Sequence, residues 1–237
     1  MPITPSDQRI KLLAKNVMAI DIETENTGVD IFQDNKRIIS VQIGKATDVA
    51  LYYADSKDPA HDLSRARNRI LEMLSNEHVF TGYNIERFDL PIIKKFLGIE
   101  IPSSNFIDLI HTDVIKSLNY SRSVYHLEDV CSCFGIPVKH KHRMSGKAEE
   151  YKTRPDVLSL ANREAPKIAA KKGGTVEYAR EEAIRKIAGG IAILDSYKEF
   201  VEKGGSKDTL FYEYATEDIV CEHRLFECVK QRQCRTS

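Results

Sequence analysis

The sequence predicts an α/β protein, a mixed five-stranded sheet flanked by helices with a helical insertion before the last helix. Three observations lead there. Short β-rich runs follow one another at hairpin distance near the start; helical and strand-like periods then alternate up to about residue 135; and two long helical stretches precede a final amphipathic helix. With 237 residues, the chain is expected to form one domain, its core from about 16–138 and 206–229 and its insertion from about 139–205.

Residues 1–15 read as a polar leader. The run Asn16–Ile20 is apolar and rich in β-formers, continues into Asp21-Ile22-Glu23-Thr24, and is closed by the turn-prone Glu25-Asn26-Thr27-Gly28. It reads as a buried strand. Arg37–Gly44 and Val49–Ala54 are two more strands, the three expected to be antiparallel. Ala60–Ser75 is helical, with Leu63, Ala66, Ile70, Leu71 and Leu74 on one face. His78–Asn84 reads as a strand, Glu86–Leu97 as a helix stopped by Gly98, and Asn105–Ile110 as a fifth strand. A short helix, Leu127–Phe134, ends at Gly135-Ile136-Pro137. Met144–Arg154 is polar and shows little periodicity. Helices follow at Asp156–Lys172 and Thr175–Val201, the second with Gly189-Gly190 as an expected bend or interruption. The last helix spans about Asp208 to Val229.

Composition narrows the function classes. Charge is balanced, with 35 basic and 35 acidic residues, so affinity for a polyanion must come from local patches. No apolar run approaches a membrane span, and Met1-Pro2-Ile3-Thr4-Pro5 lacks the pattern of a signal peptide, so a soluble cytoplasmic protein is expected. The five cysteines have no framework spacing and read as free thiols. Cys131 and Cys133 with His126 or His140 lack a second ligand pair of zinc-like spacing.

Four acids stand where apolar residues would be expected. Asp21 and Glu23 alternate along a strand and so share a face. At ~4 Å and an effective dielectric of ~20, two carboxylates repel by about 4 kcal/mol. Either the strand runs out into solvent there, or a hard divalent cation sits between the two acids. In the last helix, Asp218 lies on the inward stripe of Phe211, Tyr214, Cys221, Leu225 and Cys228. Asp89 shares a face with Ile85, Ile92 and Phe96. A single misplaced acid is ordinarily a cap or an ion-pair partner, but four that converge call for metal.

These residues carry a resemblance. Asp21-Ile22-Glu23-Thr24, Gly82-Tyr83-Asn84-Ile85-Glu86-Arg87-Phe88-Asp89 and Tyr214-Ala215-Thr216-Glu217-Asp218 resemble, in order and separation, the three exonuclease motifs of the DEDD (DnaQ-like) superfamily. The chain is similar to the proofreading exonuclease domain of family B DNA polymerases and to its stand-alone archaeal and bacterial relatives. Tyr214 places it in the tyrosine branch; the histidine branch would have His where Glu213 stands. The resemblance covers residues 16–135 and 206–229 and does not extend over 139–205.

The resemblance implies a ribonuclease H-like fold and 3′–5′ exonuclease activity with two divalent ions, Mg²⁺ or Mn²⁺. Asp21 would bridge them, Glu23 and Asp218 would complete one site, and Asp89 would serve the other, partly through water. Tyr214 would orient the attacking water. Thr24, Asn84 and Phe88 would contact the 3′-terminal nucleotide, although core or capping roles explain these three as well. The basic run at Lys139, Lys141 and Arg143, and a second set at Lys167, Lys171 and Lys172, are candidates for phosphate contacts or simply solvated faces. The expected substrate is nucleic acid with a free 3′ end, single-stranded or unpaired DNA in preference to RNA. The alternatives are a 3′-trimming exoribonuclease on the same fold and an inactive nucleic-acid-binding module.

Overall fold

The computed structural model describes residues 16–25, 37–122 and 126–235. The polar leader at 1–15 and most of the turn expected at 25–28 lie outside them. Five strands form one sheet: β1 (Val17–Thr24), β2 (Ile38–Lys45), β3 (Asp48–Tyr53), β4 (Val79–Gly82) and β5 (Phe106–Asp108), in the order β3-β2-β1-β4-β5. β2 and β3 are an antiparallel hairpin, whereas β1–β4 and β4–β5 are parallel. The sheet is therefore mixed, as expected. β1 is the middle strand, which explains why Ala19 and Ile20 are wholly buried.

Register fixes what gathers at one end of the parallel strands. Ala19 pairs with Thr81, and Gly82 pairs with Asp108. β4 and β5 stop there, while β1 runs on through Asp21 and Glu23 to Thr24. Ligands of open α/β sheets bind beyond the carboxyl ends of such strands.

Eight helices accompany the sheet among the described residues: α1 (Leu63–Ser75), α2 (Asp89–Leu97), α3 (Asp113–Arg122), α4 (Leu127–Cys133), α5 (His140–Tyr151), α6 (Pro155–Lys172), α7 (Val176–Glu202) and α8 (Leu210–Arg235). Asp62 caps α1 by accepting the Arg65 N–H at 2.7 Å. Gly98 ends α2 in the left-handed region, at φ 66°, where a side chain would be strained.

Residues 16–23, 40–122, 126–138 and 215–235 belong to one compact unit, and 24–25, 37–39 and 139–214 to a second. In the first, Val17, Val79 and Ile107 of the sheet pack with Leu127 and Val130 of α4 and with Cys221, Leu225, Phe226 and Val229 of α8. In the second, Val157, Ala161 and Ala165 of α6 meet Ala179, Ala183 and Ile187 of α7. The alanines among them leave room for the two helices to pack against each other. Tyr197, Phe200 and Phe211 add an aromatic cluster, with ring centroids 5.1 Å apart for Tyr197–Phe211 and 5.3 Å for Phe200–Phe211.

Several elements differ from the sequence reading. α3 and α5 are helices that the periodicity did not reveal. Met144 is the buried residue of α5, and a helix with so few inward side chains leaves no stripe to read. α7 continues without interruption across Gly189-Gly190. The burial of Ala188 and Ile191 around them outweighs the ~1 kcal/mol that each helical glycine costs. On α1, Met73 is buried and Leu71 is exposed, so the inward face is turned from the expected one. β4 ends at Gly82 and α2 begins only at Asp89, leaving a loop where strand and helix had been expected to run on.

Among the described residues, Cys131, Cys133, Cys221 and Cys228 form no disulfide with one another. Among the described residues no helix is long and apolar enough to cross a membrane.

Candidate active site

Past its buried centre, β1 alternates between Ile20 and Ile22, which are buried, and Asp21 and Glu23, which are half-buried. Carboxylate oxygens of Asp21, Glu23 and Asp218 lie within 4.8 Å of one another. Asp218 comes from the inward stripe of α8 and is 7% exposed. Asp89 is the first residue of α2 and equally buried, and its Oδ1 accepts the N–H of Ile22 at 3.3 Å. That amide lies between Asp21 and Glu23 along the chain. The four acids named from sequence thus meet at the end of the central strand.

The electrostatics of the cluster are unfavourable as it stands. Burial pushes the Asp89 carboxyl well above the usual carboxylate range, and the charges of Asp21 and Glu23 push it the same way. The Ile22 and Asp89 amides pull in the opposite direction but do not prevail. At separations near those seen here each ionised pair repels by about 3 kcal/mol at an effective dielectric of ~20. Protons or a cation must relieve it. The donor set consists entirely of carboxylate oxygens, which suits a hard divalent ion such as Mg²⁺ or Mn²⁺.

A fifth acid escaped the sequence reading. Glu222, one helical turn beyond Asp218, is 3% exposed. Its Oε1 accepts the Tyr83 N–H at 2.8 Å, and its Oε2 is buried with no hydrogen-bond partner. Burial and then the charge of Asp21 hold the Glu222 carboxyl well above its ordinary range. The signal was available: a residue four after Asp218 falls on the same helical stripe. Asp108, at the end of β5, was also missed. It is 6% exposed and accepts the N–H groups of Asn84 at 2.7 Å, Glu86 at 3.0 Å and Ile110 at 3.3 Å. Asp108, Glu86 and His111 also offer ligand atoms within 4.8 Å of one another. There, however, the Asp108 oxygens are engaged by backbone, and Glu86 faces His111 at 3.7 Å in solvent.

The remaining sequence candidates are placed as follows. Thr24 ends β1 and Asn84 lies in the loop, both half-buried, Asn84 with φ 65°. Phe88 is 38% exposed just before α2, with the Arg87 guanidinium 5.6 Å from its ring centre. Tyr214 is half-buried on α8, four residues before Asp218. Lys139 precedes α5, and Lys141 and Arg143 lie in its first turns. Arg143 pairs with Glu213, which His140 Nδ1 also approaches at 3.2 Å. Lys167 pairs with Glu164 and Lys172 with Glu182, so acids within the helical unit already neutralise part of the second basic set.

A mixed sheet with acids at the carboxyl end of its central strand, joined by acids from two helices, is an arrangement able to hold a divalent ion. The chain belongs to the RNase H superfamily, whose profile matches residues 18–150, more than half of its length. The match includes Asp21, Glu23, Asp89 and Asp108 and ends before α8. Members of this superfamily are usually nucleases that use divalent metals. No curated protein matches the sequence.

Proposed function

We propose that this protein is a metal-dependent 3′–5′ exonuclease of the tyrosine branch of the DEDD superfamily, acting on single-stranded or unpaired DNA ends. One observation carries most of the weight: oxygens of Asp21, Glu23 and Asp218 lie within 4.8 Å of one another, while Asp89 is hydrogen-bonded to the backbone between the first two.

Asp21, Glu23, Asp89 and Asp218 are the residues that would hold two divalent ions, Mg²⁺ or Mn²⁺. When bound, such a pair supplies positive charge to an attacking water and to the departing 3′ oxygen in an in-line displacement. The protein's own contribution is placement. β1 is anchored as the central strand, and α2 delivers Asp89 from its first turn, where the helix dipole favours negative charge. Tyr214 orients the water through its hydroxyl. A phenol, with an intrinsic pKa of about 10, remains a hydrogen-bonding group at neutral pH rather than a free base. The exposed ring of Phe88 offers a stacking face for the terminal base, with Thr24 and Asn84 as polar contacts. Lys139, Lys141 and Arg143 follow the phosphate backbone.

Mapping products from 5′-labelled and 3′-labelled DNA and RNA oligonucleotides, with Mn²⁺ or with chelator, tests this. The 5′ label should appear in a ladder that shortens one nucleotide at a time, and the 3′ label as mononucleotide from the first time point. Shortening from the 5′ end, or RNA digested with DNA untouched, would refute the reading.

A further inference from the structure

The loop between β4 and α2 must deliver Asp89 to β1, yet its backbone belongs to no ladder. Three of its amides are instead bound by two buried carboxylates from elsewhere in the same unit. Tyr83 N–H donates to Glu222 Oε1 at 2.8 Å, Asn84 N–H to Asp108 Oδ1 at 2.7 Å, and Glu86 N–H to Asp108 Oδ2 at 3.0 Å. The intervening Ile85 is wholly buried, and its carbonyl accepts the Leu90 N–H at 3.0 Å, tying the loop to the first turn of α2. Asn84 takes φ 65°, a conformation that needs support from its surroundings. At the start of the loop, a Cβ on Gly82 would come within 2.2 Å of Ile85 Cγ2, 3.0 Å of the Ile20 carbonyl and 3.2 Å of Glu222 Oε2. The close approach of β1, the loop and α8 therefore depends on glycine at this position.

Packing does not account for Asp108 and Glu222. A buried carboxylate costs several kcal/mol unless its oxygens are satisfied, and an apolar side chain would have filled either position more cheaply. What these two offer is a strong acceptor for amides that have no partner in a regular element.

We infer that Asp108 and Glu222 are positioning residues: from β5 and α8 they clamp the 83–86 backbone and so preset Asp89 against Ile22 before metal arrives. This goes beyond the exonuclease reading and rests on it only for the role of Asp89 as a ligand.

The test uses the full chain without nucleic acid. Residue-resolved amide exchange is followed at Tyr83, Asn84 and Glu86, and Mn²⁺ binding is titrated by calorimetry. kcat and KM are then measured on a single-stranded oligonucleotide. Glu222→Ala and Asp108→Ala should speed exchange at the amides each one holds and weaken Mn²⁺ binding by about tenfold or more, the usual effect of losing a group that orients a ligand. kcat should fall while KM changes little. Glu222→Gln keeps the acceptor for Tyr83 and should stay near wild type in all three readouts. Asp108→Asn serves if the alanine variant does not fold. With its amide oxygen on Asn84, it should speed exchange at Glu86 above all.

Faster exchange with wild-type Mn²⁺ affinity would overturn the inference, because the loop would then not preset Asp89. So would a Glu222→Gln protein as impaired as Glu222→Ala, which would make Glu222 a charged ligand. If the wild type releases no 3′ nucleotide, the exonuclease reading fails, but exchange and Mn²⁺ affinity still decide the clamp.

Discussion

At the scale of single residues, the site is governed by carboxylates that burial and mutual repulsion disfavour in their ionised form. Asp21→Ala or Asp218→Ala should abolish nucleotide release. Either change also removes a repelling charge, so the metal-free variant should melt no lower than metal-free wild type. A lower melting temperature by calorimetry would mean that the acid serves the fold instead. The raised carboxyls of Asp89 and Glu222 add a pH dependence whose sign follows from linkage. Above the unfolded-state value of about 4, the folded protein holds protons that the unfolded chain has lost. Stability without metal should therefore decline as pH rises from about 4 through the raised folded values. Mn²⁺ competes for the oxygens of Asp89, so its affinity should increase with pH and its uptake should release protons. Titrations in buffers of different ionisation enthalpy would show this; uptake without proton release would contradict it.

At the scale of elements, the loop of residues 83–88 is the critical connection, and Gly82→Ala is its simplest probe. The added methyl meets Ile85 Cγ2 at 2.2 Å, so the substitution should lower stability by about 1–3 kcal/mol, read as a reduced melting temperature. An unchanged melting temperature would mean that the loop yields easily. The same stretch marks where sequence reading stopped. Asp21, Glu23, Asp89 and Asp218 were legible because each breaks a hydrophobic pattern on a strand or helix. Glu222 breaks it too, one turn later, but was passed over. Asp108 broke nothing visible: it ends a three-residue strand, and the loop amides it holds lie 22 and 24 residues away. No side-chain pattern encodes such a contact. α5 was missed for a related reason, since a polar helix with a single buried side chain has no periodicity to detect.

At the scale of the whole molecule, balanced net charge leaves substrate capture to local groups. Lys139, Lys141 and Arg143 are the proposed ones, and the pairing of Arg143 with Glu213 reduces what that arginine can give. Replacing all three with alanine should make the slope of log affinity against log salt shallower by about 1–2 units, at ~0.7 per single-strand phosphate contact. Turnover at saturating substrate should be retained, because binding and chemistry are carried by different groups. An unchanged slope would make this run a solvated face and leave strand capture to other surfaces.

The central claim, metal-dependent removal of nucleotides from a 3′ end by the acidic cluster, is tested most directly by one comparison. The same single-stranded DNA sequence is supplied as a linear strand with a 3′ hydroxyl and as a closed circle, in Mn²⁺, to wild type and to Asp218→Asn. The expected result is release of mononucleotides from the linear strand by wild type alone, an intact circle, and no release by the variant or in chelator. Cleavage of the circle at a comparable rate, or undiminished digestion by Asp218→Asn, would contradict the account.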